Sequence, residues 1–160
     1  MSGLTRALPL LLFVNLFFLV QPSEAHGILP DEIPMAAGTA LRDHGNLPSR
    51  TAVFSDHWTP NALTVDQGQA LILALDNASP EWHLFALVDD VALRDQNLIH
   101  QLMPDLRKDY PNTRLSEPGT TVQIPWRFDM AGQYTVHCVR ADHQQHSPVL
   151  TITVHPISPH

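Results

Sequence analysis

Three side chains of this 160-residue chain, His83, Cys138 and His143, have the types and order needed to share one metal ion. Side chains at i, i+2 and i+4 of a strand share a face. In the stretch ending at the cysteine this puts Tyr134, Val136 and Cys138 on one side and Gln133, Thr135 and His137 on the other. The apolar side faces the core, and Cys138 with it. The same alternation groups His83 with Phe85 and Leu87, and turns Leu150, Ile152 and Val154 inward. His143 follows five residues after Cys138, in the loop before the last expected strand. A thiolate at a strand end, an imidazole in the next loop and a second imidazole from an earlier strand make a His2Cys set. That set is the trigonal ligand pattern of a copper electron-transfer site.

The elements that must position these residues lie behind a leader. Arg6, the apolar run Ala7 to Val20 and Ser23-Glu24-Ala25 have the three parts of a secretory signal, so residues 1–25 are expected to be removed by cleavage after Ala25. The run is short of the ~20 apolar residues that span a bilayer as a helix, so no membrane anchor is expected to remain, and the expected location is the periplasm. Lys and Arg number 9 against 16 Asp and Glu, a formal charge of -7 that excludes nucleic-acid binding. Cys138 is the chain's single cysteine, which excludes a disulfide scaffold and any zinc site built from several thiolates.

Residues 26–49 carry Gly27, Pro30, Pro34, Gly38, Gly45 and Pro48 without periodicity and read as an irregular N-terminal arm. Residues 50–156 read as one domain of seven short strands: Thr51 to Ser55, Ala62 to Val65, Gln69 to Asp76, Trp82 to Val88, Thr121 to Phe128, Gln133 to Cys138 and Val149 to Val154. Turns at Asp66-Gln67-Gly68, Asn77-Ala78-Ser79-Pro80 and Glu117-Pro118-Gly119 separate them. From Val91 to Leu106, Leu98, Ile99, Leu102 and Met103 fall at helical spacing until Pro104 stops it, so one short helix is inserted among the strands. Seven short strands suggest a β-sandwich or barrel.

Taken singly, a lone cysteine on an apolar strand face is a small buried hydrophobe, and a lone histidine is a satisfied core or surface residue. The three together, in an oxidising compartment that endangers an unliganded thiol, favour the metal. His137 faces away from the core side of its strand and is expected to be exposed. His44, His57, His100, His155 and His160 have no mutual spacing logic and read as surface residues. Trp58, Trp82 and Trp126 read as packing rather than an electron path. His26 would become the mature N-terminus, where amine and imidazole together chelate Cu(II), as in copper-dependent oxidative enzymes.

The chain resembles the cupredoxins, or type 1 copper proteins, from about Phe54 to Val154. The matching stretches are Trp58-Thr59-Pro60-Asn61-Ala62-Leu63-Thr64-Val65 with Gly68, Asn77 leading to His83, and Phe128-Asp129-Met130-Ala131-Gly132-Gln133-Tyr134-Thr135-Val136-His137-Cys138 on to His143. The resemblance implies an all-β, Greek-key β-sandwich with one copper ion held by His83, Cys138 and His143. Among relatives, small periplasmic cupredoxins of copper tolerance look similar, through His137-Cys138 and Ala141-Asp142-His143. Where the family carries an axial Met this chain has His146, Ser147 and Pro148, and Leu84 stands where many relatives have an Asn. Met130 lies eight residues before Cys138, roughly 26 Å along a strand, and cannot substitute. Three options stay open: His146 binds axially, copper is three-coordinate, or Met103 or Met35 reaches in.

No His-x-His pair is present to hold a trinuclear oxidase cluster, and one cysteine cannot build a binuclear copper centre. The expected function is copper tolerance or handling, or one-electron transfer with a periplasmic redox partner that is basic or neutral at its contact face. It is expected to be non-catalytic. The alternative is a copper-dependent oxidative enzyme using His26.

Overall fold

The computed structural model describes residues 31–35, 37–42, 45–105, 109–143 and 147–157. The expected leader, His26, His44, Leu106, His146 and His160 lie outside the described residues. In chain order the elements are β1 (Glu32–Met35), β2 (Gly38–Leu41), β3 (Ser49–Phe54), β4 (Trp58–Thr59), β5 (Ala62–Asp66), β6 (Ala70–Asn77), β7 (His83–Val88), α1 (Asp90–Leu102), β8 (Thr113–Ser116), β9 (Thr121–Arg127), β10 (Gly132–Cys138) and β11 (Leu150–His155). They form two sheets, one ordered β1-β2-β9-β6-β3-β4 and the other β5-β11-β10-β7-β8. Each expected strand overlaps an observed one. Most neighbours are antiparallel, but β3 runs parallel to β6 and β5 parallel to β11.

The sheets face each other through their alternating apolar sets. Leu71, Leu73 and Leu75 of β6 and Ile124 and Trp126 of β9 meet Phe85 and Leu87 of β7, Tyr134, Val136 and Cys138 of β10, and Leu150, Ile152 and Val154 of β11. These side chains are all but excluded from solvent. At about 25 cal/mol per Å2 of apolar surface removed from water, this interior is the main term holding the sandwich.

The stretch 26–49 was expected to be irregular, and part of it instead forms a hairpin. Strands β1 and β2 pair with each other, and β2 joins β9 through Thr39–Arg127 and Ala40–Trp126. Pro34 hid this strand from its pattern, because proline is confined to edge strands, and β1 is an edge. The anchors are polar: Arg127 reaches Glu32 with two nitrogens, at 2.6 and 3.1 Å, and Asp129 at 2.7 Å. Trp126 Nε1 donates to the Ala37 carbonyl at 3.0 Å. Gly38 sits at φ +128, and a Cβ there would meet the Arg127 carbonyl oxygen at 2.3 Å. Gly38→Ala is therefore expected to cost about 1–3 kcal/mol, read as a lowered urea midpoint. Loss of less than a few tenths would show that the hairpin contributes nothing to global stability.

Helix α1 lies on the outer face of the five-stranded sheet, where Ala92 and Leu93 pack against Leu84, Ala86, Val88 and Val139. Asp89 caps it, accepting from the N–H groups of Val91 and Ala92. It ends at Leu102, two residues before Pro104. Three of the four residues at the expected apolar spacing face outward, and Ile99 is half-buried. Val91, Leu98, Leu102 and Met103 are exposed, while His100, expected on the surface, is only 1% exposed. The His100 Nε2 atom has no partner among the described residues.

Burial lowers the His100 pKa. The folded state therefore holds a neutral imidazole, while the unfolded chain takes up a proton as pH falls below about 6.5. This part of the stability is present above that pH and is lost below it. Amide exchange in α1, corrected for its intrinsic pH dependence, is expected to accelerate between pH 7 and pH 5. A His100→Leu chain should not show the acceleration; if it does, His100 is not the cause.

Candidate metal centre

The site is built at one end of the inter-sheet core by two adjacent strands and the turn that leaves one of them. Strands β7 and β10 are antiparallel with Cys138 opposite Phe85, so His83, two residues before Phe85, projects from the same face. The Val139 N–H donates to the Leu84 carbonyl at 2.9 Å and prolongs the ladder past Cys138. The chain then turns, with the His143 N–H donating to the Arg140 carbonyl at 3.0 Å, and His143 folds back over the strand end.

This brings the three expected residues together. Cys138 Sγ lies 3.4 Å from His83 Nδ1 and 3.5 Å from His143 Nδ1. One donor atom from each residue fits within 4.8 Å of the others. Metal bonds of about 2.0 Å to nitrogen and 2.3 Å to sulfur, arranged trigonally, separate sulfur from nitrogen by about 3.7 Å. The donors already stand close to that spacing, so the residues fit a metal ion with little rearrangement.

Packing fixes the buried ligands. His83 is 5% exposed; its ring stacks on Phe85 at 5.3 Å and meets the edge of Phe54 at 4.6 Å. Trp58 closes the aromatic group against Phe54 and Phe85, consistent with a packing role. Cys138 is buried, and the His143 side chain retains 22% of its exposure.

Hydrogen bonds to the far side of each ring decide which nitrogen is free. Asn77 donates through Nδ2 to the carbonyls of Glu81, at 2.8 Å, and Ser116, at 3.1 Å, which leaves its Oδ1 as an acceptor. Ser79 Oγ lies 2.7 Å from that oxygen and donates to it. Its own lone pair then accepts from His83 Nε2–H at 2.8 Å. On the other ring, His143 Nε2 lies 3.2 Å from Glu81 Oε2, an acceptor only, so it too carries the proton. Both Nδ1 lone pairs are therefore left facing Cys138 sulfur.

Electrostatics keep His83 and Cys138 in their uncharged forms. Burial, aided by the charges of His143 and Arg140, pushes His83 down to about 4. Burial pushes the Cys138 thiol up, against the opposing backbone hydrogen bonds of Arg140 and Leu84. His83, Cys138 and His143 would hold a metal ion here, with Cys138 giving up its thiol proton to serve as a thiolate ligand.

Sequence reasoning missed Ser79, Glu81 and Arg140, and gave Asn77 no role beyond opening the matching stretch that leads to His83. Ser79 lay in a stretch read as a turn, and nothing in its spacing announced contact with His83. His137, expected to be exposed, is half-buried on the outer face opposite Ala86, where burial lowers its pKa. Two remote candidates for a fourth ligand are misplaced. Met35 pairs with Gly38 beside Arg127, at the end of β9 opposite the site. Met103 caps a helix on the other face of the sheet from Cys138 and is half exposed. A cavity of about 170 Å3 beside both imidazoles is lined by Phe54, His83, Asp142, His143, Ser147 and Pro148, without a methionine among them.

Two facing mixed sheets, with a His2Cys group at one end, are the cupredoxin fold. Auracyanin B shares it, with a TM-score of 0.62 and 18% identity over 75% of this chain and 97% of that one. So do auracyanin from Roseiflexus castenholzii, at 0.57 and 17% over 70% of this chain and all of that one, and auracyanin A, a "blue" copper protein of Chloroflexus aurantiacus, at 0.54 and 18% over 67% and 98%. No family model and no curated protein sequence matches the chain. Among the described residues no helix is long and apolar enough to cross a membrane.

Proposed function

We propose that this protein is a copper-binding cupredoxin in which His83, Cys138 and His143 hold one copper ion for one-electron transfer. The observation that carries the reading is the convergence of one sulfur and two Nδ1 lone pairs, 3.4 and 3.5 Å apart, on atoms fixed by packing and by hydrogen bonds. Copper in such a set cycles between Cu(I) and Cu(II). The chain's own contribution is to hold both rings in one tautomer and to keep the sulfur out of water. A donor set that needs little rearrangement suits a reversible carrier better than a site that must release its ion.

Copper handling is favoured by the missing axial Met, the abundance of histidine and an arm carrying His26, Met35 and His44. Of the arm residues, Met35 lies at the end of the sandwich opposite the site, and of the histidines outside the arm His100 is buried on α1. These placements favour the carrier. The apolar leader supports export to the periplasm, and the non-catalytic reading is kept; the alternative through His26 rests on a residue outside the described ones.

The test is a Cu(II) titration followed by visible absorption and electron paramagnetic resonance. An intense thiolate-to-copper band is expected, saturating at one equivalent, bleached by a one-electron reductant and restored on reoxidation. Absence of the band would overturn the site. Loss of copper on reduction would keep the site but replace the carrier by a copper handler.

A further inference from the structure

The two imidazoles are braced by different chemistry. His83 Nε2–H meets a neutral hydroxyl, Ser79 Oγ, in the buried interior. His143 Nε2–H meets a carboxylate, Glu81 Oε2, at the rim. Both partners belong to the short connection between β6 and β7. The Glu81 backbone is tied down there: its carbonyl accepts from Asn77 Nδ2, and its N–H donates to Ser79 Oγ. Its carboxylate is held by Arg140, whose Nη1 lies 3.2 Å from the same Oε2.

Arg140 is itself fixed. Its side chain is 11% exposed, lies over the Trp82 ring at 4.2 Å, and donates to the Trp82 carbonyl at 2.6 Å and to Asp142. One guanidinium between two carboxylates leaves this rim with a net negative charge, centred on the outer edge of His143.

We infer that Glu81 is a positioning residue for the metal centre: through Nε2 it orients His143, strengthens it as a donor and favours the more highly charged Cu(II) over Cu(I). This rests on the copper reading above. The physical basis is general. A carboxylate accepting from the far nitrogen of a ligating imidazole fixes its tautomer and raises its basicity, and losing such a partner lowers metal affinity about 10–100-fold. Coulomb attraction to the carboxylate scales with the charge of the ion, so Cu(II) gains more than Cu(I). A tenfold loss of affinity for Cu(II), with Cu(I) unchanged, corresponds to a rise in potential of about 59 mV for this one-electron couple.

The experiment compares the full chain with Glu81→Gln, Glu81→Asp and Asp66→Asn. Asp66 is an exposed carboxylate whose β11 partner, His155, lies at the end of that strand away from the site, so it controls for net charge alone. Cu(II) affinity, Cu(I) affinity and reduction potential are measured. Without copper, imidazole 15N shifts report the His143 tautomer.

Glu81→Gln is expected to bind Cu(II) at least tenfold more weakly, to raise the potential and to mix the two tautomers of metal-free His143. Glu81→Asp, with the charge kept and the reach shortened, should fall between it and the parent. Asp66→Asn should match the parent. The inference is overturned if Glu81→Gln has the parent's potential and tautomer, or if Asp66→Asn shifts the potential as much. In both cases the thiolate band persists and the copper reading stands. Absence of that band in the parent would remove the copper reading and this inference together.

Discussion

Replacing Cys138 by Ser is expected to abolish the thiolate-to-copper band completely while leaving the fold intact. Serine fits the volume of the buried side chain, and its hydroxyl keeps its proton where the thiol releases one. His83 and His143 remain as two imidazoles, so weak and colourless Cu(II) binding should survive. The visible spectrum checks the first point and near-ultraviolet circular dichroism the second. A Cys138→Ser chain that kept the band would remove this residue from the centre and with it the case for a His2Cys set.

The second large effect lies one residue behind the ligands. Phe85 is fully buried and touches the Phe54 and Trp58 rings as well as His83. Truncation to Ala removes a large apolar side chain and leaves a cavity, at a cost of about 3–5 kcal/mol. It also takes away the surface on which the His83 ring stacks. Phe85→Ala is therefore expected to lower the urea midpoint sharply and to broaden the Cu(II) resonance as the ring loses its fixed orientation. Phe85→Leu should recover most of the stability but not the stacking. A narrow, unaltered resonance in Phe85→Ala would show that the hydrogen bond to Ser79 and the Phe54 edge set the ring without the stacking.

These expectations depend on features of unequal legibility. The alternation in β7 and β10 was readable because a residue's face in a strand follows from its parity, and parity survives errors of a residue or two at the ends. That sufficed to group His83 with Phe85 and Leu87 and to turn Cys138 inward. The hairpin of β1 and β2 was not readable, since four-residue strands broken by Pro34 and held by Arg127, Asp129 and Glu32 leave no periodic signal. Helix α1 was found from apolar spacing, but three of the four residues that gave the signal point to solvent. Alongside Ala92 and Leu93, the inward side carries His100 and Gln96, both with a buried atom that finds no partner among the described residues. The bracing of the imidazoles was the least accessible part, because Ser79 and Glu81 act through single atoms whose positions follow from a turn and not from a pattern.

Strand β11 fills the slot between β5 and β10, hydrogen-bonded on both sides. It is the final strand among the described residues, and its partner β5 lies near the start of the domain. Until residue 155 has left the ribosome, the five-stranded sheet has a gap through its interior, and β5 has no neighbour within that sheet. Completion of that sheet therefore waits for the last of its five strands in chain order. Val136, two residues before Cys138, pairs with Leu150, so the ligand-bearing end of β10 has its second neighbour only once β11 is in place.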